Sequence, residues 1–131
     1  MAPRYAVVDP SEIPSTPFPE SGIHHRKLTE VLGCEHVRIT IVTLKPGEAT
    51  APHTHERQEE VYITPTGGTV IVDGESVSVP PGGLVRFAPD VIRSVSNDTT
   101  GETQEWLMLG APPYGTVDDF GEYVMPTEEI D

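Results

Sequence analysis

Hydrophobic and polar residues alternate in short runs along most of this 131-residue chain. A period of two is typical of half-buried β-strands, whereas amphipathic helices need a period near 3.6. We predict strands over residues 5–8, 36–44, 60–64, 69–72, 75–79, 84–88, 94–96 and 103–109. Asp73-Gly74 lies between two of these runs and favours a type I′ hairpin turn. The pattern therefore predicts an all-β protein, an antiparallel sandwich or barrel without a long helix.

One predicted strand shows how side chains divide between two faces. Glu60, Tyr62 and Thr64 share one face, and Val61 and Ile63 share the other. If Glu60 points into a barrel, the apolar pair needs a different cover, and we expect a partner subunit to provide it. The sequence therefore predicts a homodimer formed by contact between sheets, to which the apolar patch at residues 5–8 could add a strand.

An earlier strand alternates in the same way. Val37, Ile39 and Ile41 lie on one side of it, and Arg38 and Thr40 lie on the other. This is the pattern of a half-buried strand, in which the apolar side usually faces the core.

The chain has the length of one domain and divides into three parts. Residues 1–27 form a proline-rich arm, residues 28–110 the barrel, and residues 111–131 an acidic tail packed on the barrel. The high content of turn formers, 12 glycines and 14 prolines, agrees with many short strands. We expect three apolar residues to hold the tail to the barrel: Phe120, Tyr123 and Val124.

Two histidines one residue apart precede the strand that contains Glu60. On an extended segment, His53 and His55 point to the same side, and a turn between antiparallel strands can bring Glu60 beside them. Two imidazoles and one carboxylate form the facial set that binds a divalent metal with open positions. We predict a metal site made of His53, His55 and Glu60, with iron, manganese, nickel or zinc as the candidate ions.

The residues around these three form a longer motif. Gly47 is followed by five residues, His53-Thr54-His55, four residues, Glu60, six residues and Gly67. This stretch resembles the first motif of the cupin superfamily, in which a glycine, His-x-His, a glutamate and a second glycine recur at these spacings. The resemblance covers residues 28–109 and implies a jelly-roll, or double-stranded β-helix, fold for a small single-domain cupin.

The second cupin motif departs from the family pattern. Gly83, Pro89 and Asn97 stand at the expected spacings, but Arg93 occupies the position of the histidine that completes the family's metal site. A guanidinium is always protonated and offers only hydrogen-bond donors, so it cannot ligate a metal.

Three roles for Arg93 follow from its position. It could point out of the barrel into solvent, form an ion pair with Glu60 where relatives hold a metal, or bind a substrate anion at the mouth of the pocket. Two further residues, Tyr62 beside Glu60 and Gln104 on the last long strand, are candidates for binding a ligand in the barrel. The sequence leaves these roles open.

Charge excludes several classes of partner. The formal net charge is −13, from 21 acidic and 8 basic residues, which repels nucleic acid and anionic membranes. No apolar run has the length of a membrane span, and the first residues lack the apolar core of a signal peptide. We expect a cytoplasmic protein, and the acidic composition with only two lysines raises the hypothesis of a salt-loving source.

Two functional hypotheses follow. In the first, the two histidines and Glu60 hold a divalent metal that acts on a small oxygen-rich or carboxylate metabolite. In the second, the barrel is a metal-free, non-catalytic module for a small molecule, and Arg93 replaces the charge of the metal. No separate general acid or base is recognisable, so the sequence does not decide whether the chain is an enzyme.

Overall fold

The computed structural model describes residues 4–19, 21–55 and 57–111. The strands in this part of the chain are β1 (Thr16–Pro17), β2 (His24–Lys27), β3 (Arg38–Leu44), β4 (Glu59–Thr64), β5 (Gly68–Val72), β6 (Glu75–Val79), β7 (Gly83–Phe87), β8 (Arg93–Ser96) and β9 (Gln104–Ala111). Helical structure within the same ranges is limited to a 3-10 turn (Pro10–Glu12) and a short α-helix, α1 (Thr29–Leu32). Neither of these has the length and apolar character needed to cross a membrane.

The strands form two antiparallel sheets. One has six strands in the order β1-β2-β3-β9-β4-β7, and the other has three in the order β6-β5-β8. The inner faces of both sheets supply the core, with Trp106, Tyr62 and Phe87 from the larger sheet and Val70 and Val95 from the smaller one. The Tyr62 and Phe87 rings meet edge to face at 4.9 Å. The all-β jelly roll predicted from the sequence is thus confirmed.

The hairpin between β5 and β6 forms where Asp73-Gly74 predicts it. Both residues have positive φ, 49° and 87°, as a type I′ turn requires. The turn aligns Val72 opposite Glu75 and fixes the register of the small sheet. That register also positions β8, which pairs with β5 and begins at Arg93.

Strand β4 has the predicted distribution of faces. Glu60, Tyr62 and Thr64 are buried inside, and Glu59 lies exposed on the other side. Strand β3, which β9 separates from β4 in the sheet, differs from its predicted apolar pattern, because its buried positions begin with Arg38 and Thr40. Both faces of β3 carry apolar residues, so polarity alone does not mark the inner face.

Residues 1–27, treated as an arm in the sequence analysis, contribute β1 and β2 to the large sheet. Strand β2 reads His-His-Arg-Lys and has no apolar alternation, which explains why the pattern does not reveal it. No strand forms at residues 5–8, where Tyr5 and Val7 are 83% and 88% exposed. The predicted tail begins at residue 111, which is the last residue of β9, and residues 112–131 lie outside the described residues.

The outer surface of the large sheet carries a continuous apolar face. Its members are half-buried and face one another across β3, β9 and β4: Ile39, Leu109 and Val61 in one row, and Ile41, Leu107 and Ile63 in the next. The second row continues to Leu84 on the edge strand β7, which is 66% exposed. We call these seven residues the outer apolar face.

The homodimer stays a prediction, and the outer apolar face is its proposed contact. We expect light scattering at micromolar concentration to give twice the mass of one chain. Ile63→Arg should shift the protein to monomer, because a guanidinium would be buried without a partner in the contact. Val77→Arg is the matched control, since Val77 is an exposed apolar residue on β6 of the other sheet. A wild-type monomer would reject the contact.

Candidate functional site

The segment that carries the two histidines is fixed against the β7–β8 connection and the first residue of β8 by backbone hydrogen bonds. His53 and Arg93 each donate an N–H to the other's carbonyl at 3.1 Å, and the His55 N–H donates to the Pro89 carbonyl at 2.9 Å. This pairing, rather than a continuous strand, aligns the segment. It also places Arg93 directly opposite His53.

His53, His55 and Glu60 converge as the sequence predicts. One potential ligand atom from each lies within 4.8 Å of the others. The two imidazole rings meet edge to face at 5.1 Å. His53 Nδ1 lies 3.1 Å from the Ala51 carbonyl, a contact that fixes the ring when Nδ1 carries the proton. These three residues therefore form a possible metal-binding group.

The carboxylate of Glu60 is buried and surrounded by donors. Its Oε1 accepts hydrogen bonds from Arg93 Nε at 3.1 Å, Arg93 Nη2 at 2.8 Å and Tyr62 Oη at 3.0 Å. Its Oε2 accepts one from Arg38 Nη2 at 2.6 Å and lies 3.2 Å from His55 Nε2. A carboxylate offers about four lone-pair positions, so Glu60 is saturated with donors.

Arg93 enters the barrel and is completely buried. While Nε and Nη2 bind Glu60, Nη1 donates to the carbonyls of Ala88, Pro89 and Val91 at 2.7–3.2 Å. Its guanidinium carbon also lies 5.5 Å from the centre of the Phe87 ring. Of the three roles considered for Arg93, the structure has the ion pair with Glu60, and the side chain does not point into solvent.

Two residues that the sequence analysis did not select complete the cluster. Arg38, on the inner face of β3, binds Glu60 through Nη2 and donates through Nε and Nη2 to Gln58 Oε1 at 3.2 and 2.8 Å. Gln58 is fully buried just before β4. The alternation along β3 could have revealed Arg38, because it places this arginine on the same face as Val42 and Leu44. That face is buried, and a buried charge is tolerated only when it is paired.

Tyr62 and Gln104, the other two residues predicted to bind a ligand, lie at different levels of the barrel. Tyr62 belongs to the cluster, but its hydroxyl is used by Glu60. Gln104 is buried inside the barrel and pairs across the sheet with Leu44, whereas Glu60 pairs with Gly110. Gln104 and Gly110 are six residues apart along β9, which corresponds to about 20 Å. Gln104 therefore does not join the histidine and glutamate cluster.

Burial and charge set the protonation of the cluster. Burial lowers the pKa of His53 to about 4, so its imidazole is neutral near pH 7. Burial raises the pKa of Glu60, but the His55 hydrogen bond and the positive charges around it, Arg93 among them, lower this pKa by more, to well below its usual value. Burial and the Glu60 charge raise the pKa of Tyr62, which stays a neutral phenol. Glu60 is therefore an anion held between two cations.

The sequence and its fold were compared with known families. The family model described as Cupin domain matches residues 40–110, more than half of the chain. This chain belongs to the cupin family. No curated protein sequence matches it.

Several solved cupin structures share the fold. A cupin protein from Bacteroides fragilis has 20% identity, covers 86% of this chain and 88% of its own, and gives a TM-score of 0.69. A sugar phosphate isomerase of the cupin superfamily from Silicibacter pomeroyi has 20% identity, with 81% and 75% covered and a TM-score of 0.71. A predicted oxalate decarboxylase from Thermotoga maritima has 20% identity, with 82% and 99% covered and a TM-score of 0.71.

The ligand atoms of His53, His55 and Glu60 suit a divalent metal, but the charge around them does not. Two imidazoles and a carboxylate are suitable ligands, and adjacent donors around one octahedral ion lie about 3 Å apart. Here the only carboxylate of the set already accepts bonds from two guanidiniums, which leave an excess positive charge among the described residues of the cluster before any ion enters. Binding a metal would require Glu60 to exchange these bonds for a ligand bond beside two cations. In this arrangement the site does not fit a divalent ion.

The dependence of the cluster on Glu60 can be measured by unfolding. Glu60→Gln should lower the free energy of unfolding by about 3–5 kcal/mol, because it leaves two buried guanidiniums without their anion. The matched control is Glu59→Gln, the neighbouring residue on the outer face, whose ion pair with Arg86 is more than half exposed. Its loss should cost less than about 1 kcal/mol in urea titration. Equal effects would show that the Glu60 network does not stabilise the barrel.

Proposed function

We propose that this cupin binds a small molecule in its barrel without a divalent metal, and that Arg93 supplies the positive charge that a metal provides in other cupins. The observation that carries the proposal is the buried ion pair between Arg93 and Glu60, with Nη2 and Oε1 2.8 Å apart. Arg93 stands at the second-motif histidine position, and its guanidinium binds the carboxylate of the first motif. A fixed side chain thus occupies the electrostatic role of the ion.

A built site for the guanidinium supports this proposal. A charge that is merely tolerated would be expected to reach solvent, because desolvating it costs several kcal/mol. Arg93 instead has three backbone carbonyls on Nη1, a carboxylate on Nε and Nη2, and an aromatic face beside it. Arg38 binds the second oxygen of the same carboxylate. Glu60 is therefore part of an internal salt-bridge network, and its carboxylate is not free to ligate a metal.

A second candidate function is divalent metal binding by His53, His55 and Glu60. It is favoured by the convergence of their ligand atoms and by the contact of His53 Nδ1 with a backbone carbonyl, an arrangement common around metal-bound histidines. In this case the Arg38 and Arg93 bonds to Glu60 would have to loosen in the loaded protein. The two candidates therefore differ in metal content.

Elemental analysis of protein purified without chelator or metal-binding tag tests the choice. We expect far less than one metal per chain, and no uptake after supplementation with iron, manganese, nickel or zinc. About one metal per chain in the wild type would overturn our proposal in favour of the second candidate.

Restoring the missing histidine should restore metal binding. Arg93→His removes one cation and completes the cupin ligand set, so calorimetric affinity for these ions should rise by about tenfold or more. Arg86→His is the matched control, because Arg86 is exposed on β7 and contacts Glu59 outside the barrel. Circular dichroism verifies that both variants fold. Equal metal affinity in wild type and Arg93→His would contradict the role given to Arg93.

A further inference from the structure

The two arginines on Glu60 differ in the donors that they have left. Arg93 uses Nε and Nη2 on Glu60 and Nη1 on three carbonyls, and its side chain is 0% exposed. It has no edge that a ligand could reach. The role of anion binder at the pocket mouth is therefore not available to Arg93.

Arg38 retains an unused edge. Its Nε and Nη2 donate to Gln58 Oε1 and Glu60 Oε2, but within the described residues its Nη1 has no hydrogen-bond acceptor. This nitrogen is not among the fully enclosed polar atoms that lack a partner, and the Arg38 side chain is 10% exposed. Nη1 thus carries two N–H donors that have no acceptor in the described part of the chain and are not fully enclosed, although the side chain is nine-tenths buried.

The position of Arg38 is fixed by its neighbours. Gln58 Oε1 accepts from two nitrogens of the guanidinium, and Glu60 Oε2 holds a second contact, so the planar group cannot rotate freely. Gly110 on β9 provides the space: a Cβ there would lie 2.8 Å from Gln58 Oε1 and 3.0 Å from Arg38 Nη2. The open edge of Arg38 is therefore held in one orientation before a ligand arrives, which lowers the entropy cost of binding.

Charge indicates the class of ligand. The cluster contains two guanidiniums and one carboxylate, and no second carboxylate of the described chain contacts either arginine. A buried positive charge without a counter-ion is costly, and an anion at its open edge would offset it. This local charge is opposite in sign to the net charge of −13.

We propose that Arg38 is the ligand-contacting residue of this site, and that its Nη1 binds the carboxylate of a small organic acid. Gln58 and Gly110 act as positioning residues, since they hold the guanidinium without using this edge. The inference rests on the proposed function in one respect, that the barrel binds a small molecule.

Acetate and acetamide are the probes, because they match in size and differ in charge. Calorimetry at low salt should detect acetate binding to the wild type and much weaker binding of acetamide. Arg38→Gln should weaken acetate binding by at least about tenfold, since a charge-assisted hydrogen bond is lost. The acetate affinity of Arg38→Lys should fall between those of the wild type and Arg38→Gln. Arg86→Gln, which removes an exposed guanidinium from β7, should bind acetate as the wild type does. Equal binding of both probes to the wild type, or full acetate binding by Arg38→Gln, overturns the proposal.

A measurement on the unaltered protein covers the case in which the Arg38 variants do not fold. Nitrogen-15 NMR of the arginine side chains during an acetate titration should shift the Arg38 signals and leave those of Arg93 and Arg86 in place. Shifts at Arg93 without shifts at Arg38 would overturn the assignment, and so would the absence of any shift.

The metal content of the same samples separates this inference from the proposed function. An Arg38-dependent acetate response in protein that holds one metal per chain supports the role of Arg38 and rejects metal-free binding. Metal-free protein without an acetate response rejects Arg38 as the anion contact, while the replacement of the metal by Arg93 stands.

Discussion

The buried carboxylate of Glu60, bound by two guanidiniums, is the interaction on which the rest of the site depends. Glu60 comes from β4, Arg38 from β3 and Arg93 from β8, so the network joins both sheets of the barrel. Buried charges are tolerated only when they are paired and hydrogen-bonded. The β7–β8 connection meets this condition by directing three carbonyls at Arg93. Fold and site are therefore stabilised by the same contacts.

Exchanging a histidine for an arginine changes what this cupin cluster can do. A metal ion accepts ligand electrons and keeps open positions for a substrate, whereas a guanidinium only donates hydrogen bonds, and here all three nitrogens of Arg93 already donate to protein acceptors. In our proposal the positive charge that a ligand can reach lies on Arg38, a position that the spacing of the cupin motifs does not include. In our account the binding chemistry comes from β3 rather than from the histidine segment.

The sequence predicted those features that have a local cause. The alternation in β4 placed Glu60 and Tyr62 on the same face, and Asp73-Gly74 predicted the hairpin, because each depends on a few neighbouring residues. Arg38 was missed, since both faces of β3 carry apolar residues and its partners, Gln58 and Glu60, are 20 and 22 positions away along the chain. The conformation of Arg93 stayed open for a similar reason: its acceptors become visible only when β4 and the β7–β8 connection are placed together. Gln104 stays a candidate for binding a ligand, but its distance from the cluster along β9 could not be predicted, because strand direction alone does not give the level within a barrel.

A double-mutant cycle between Glu60 and Arg93 tests the central claim most directly. The free energies of unfolding of wild type, Glu60→Gln, Arg93→Met and the double variant give the coupling between the two side chains. Our account predicts a coupling of at least about 2 kcal/mol, because each single change leaves a buried charge that the other partner had neutralised. Effects that add to within about 0.5 kcal/mol would contradict it, since independent side chains behave in that way.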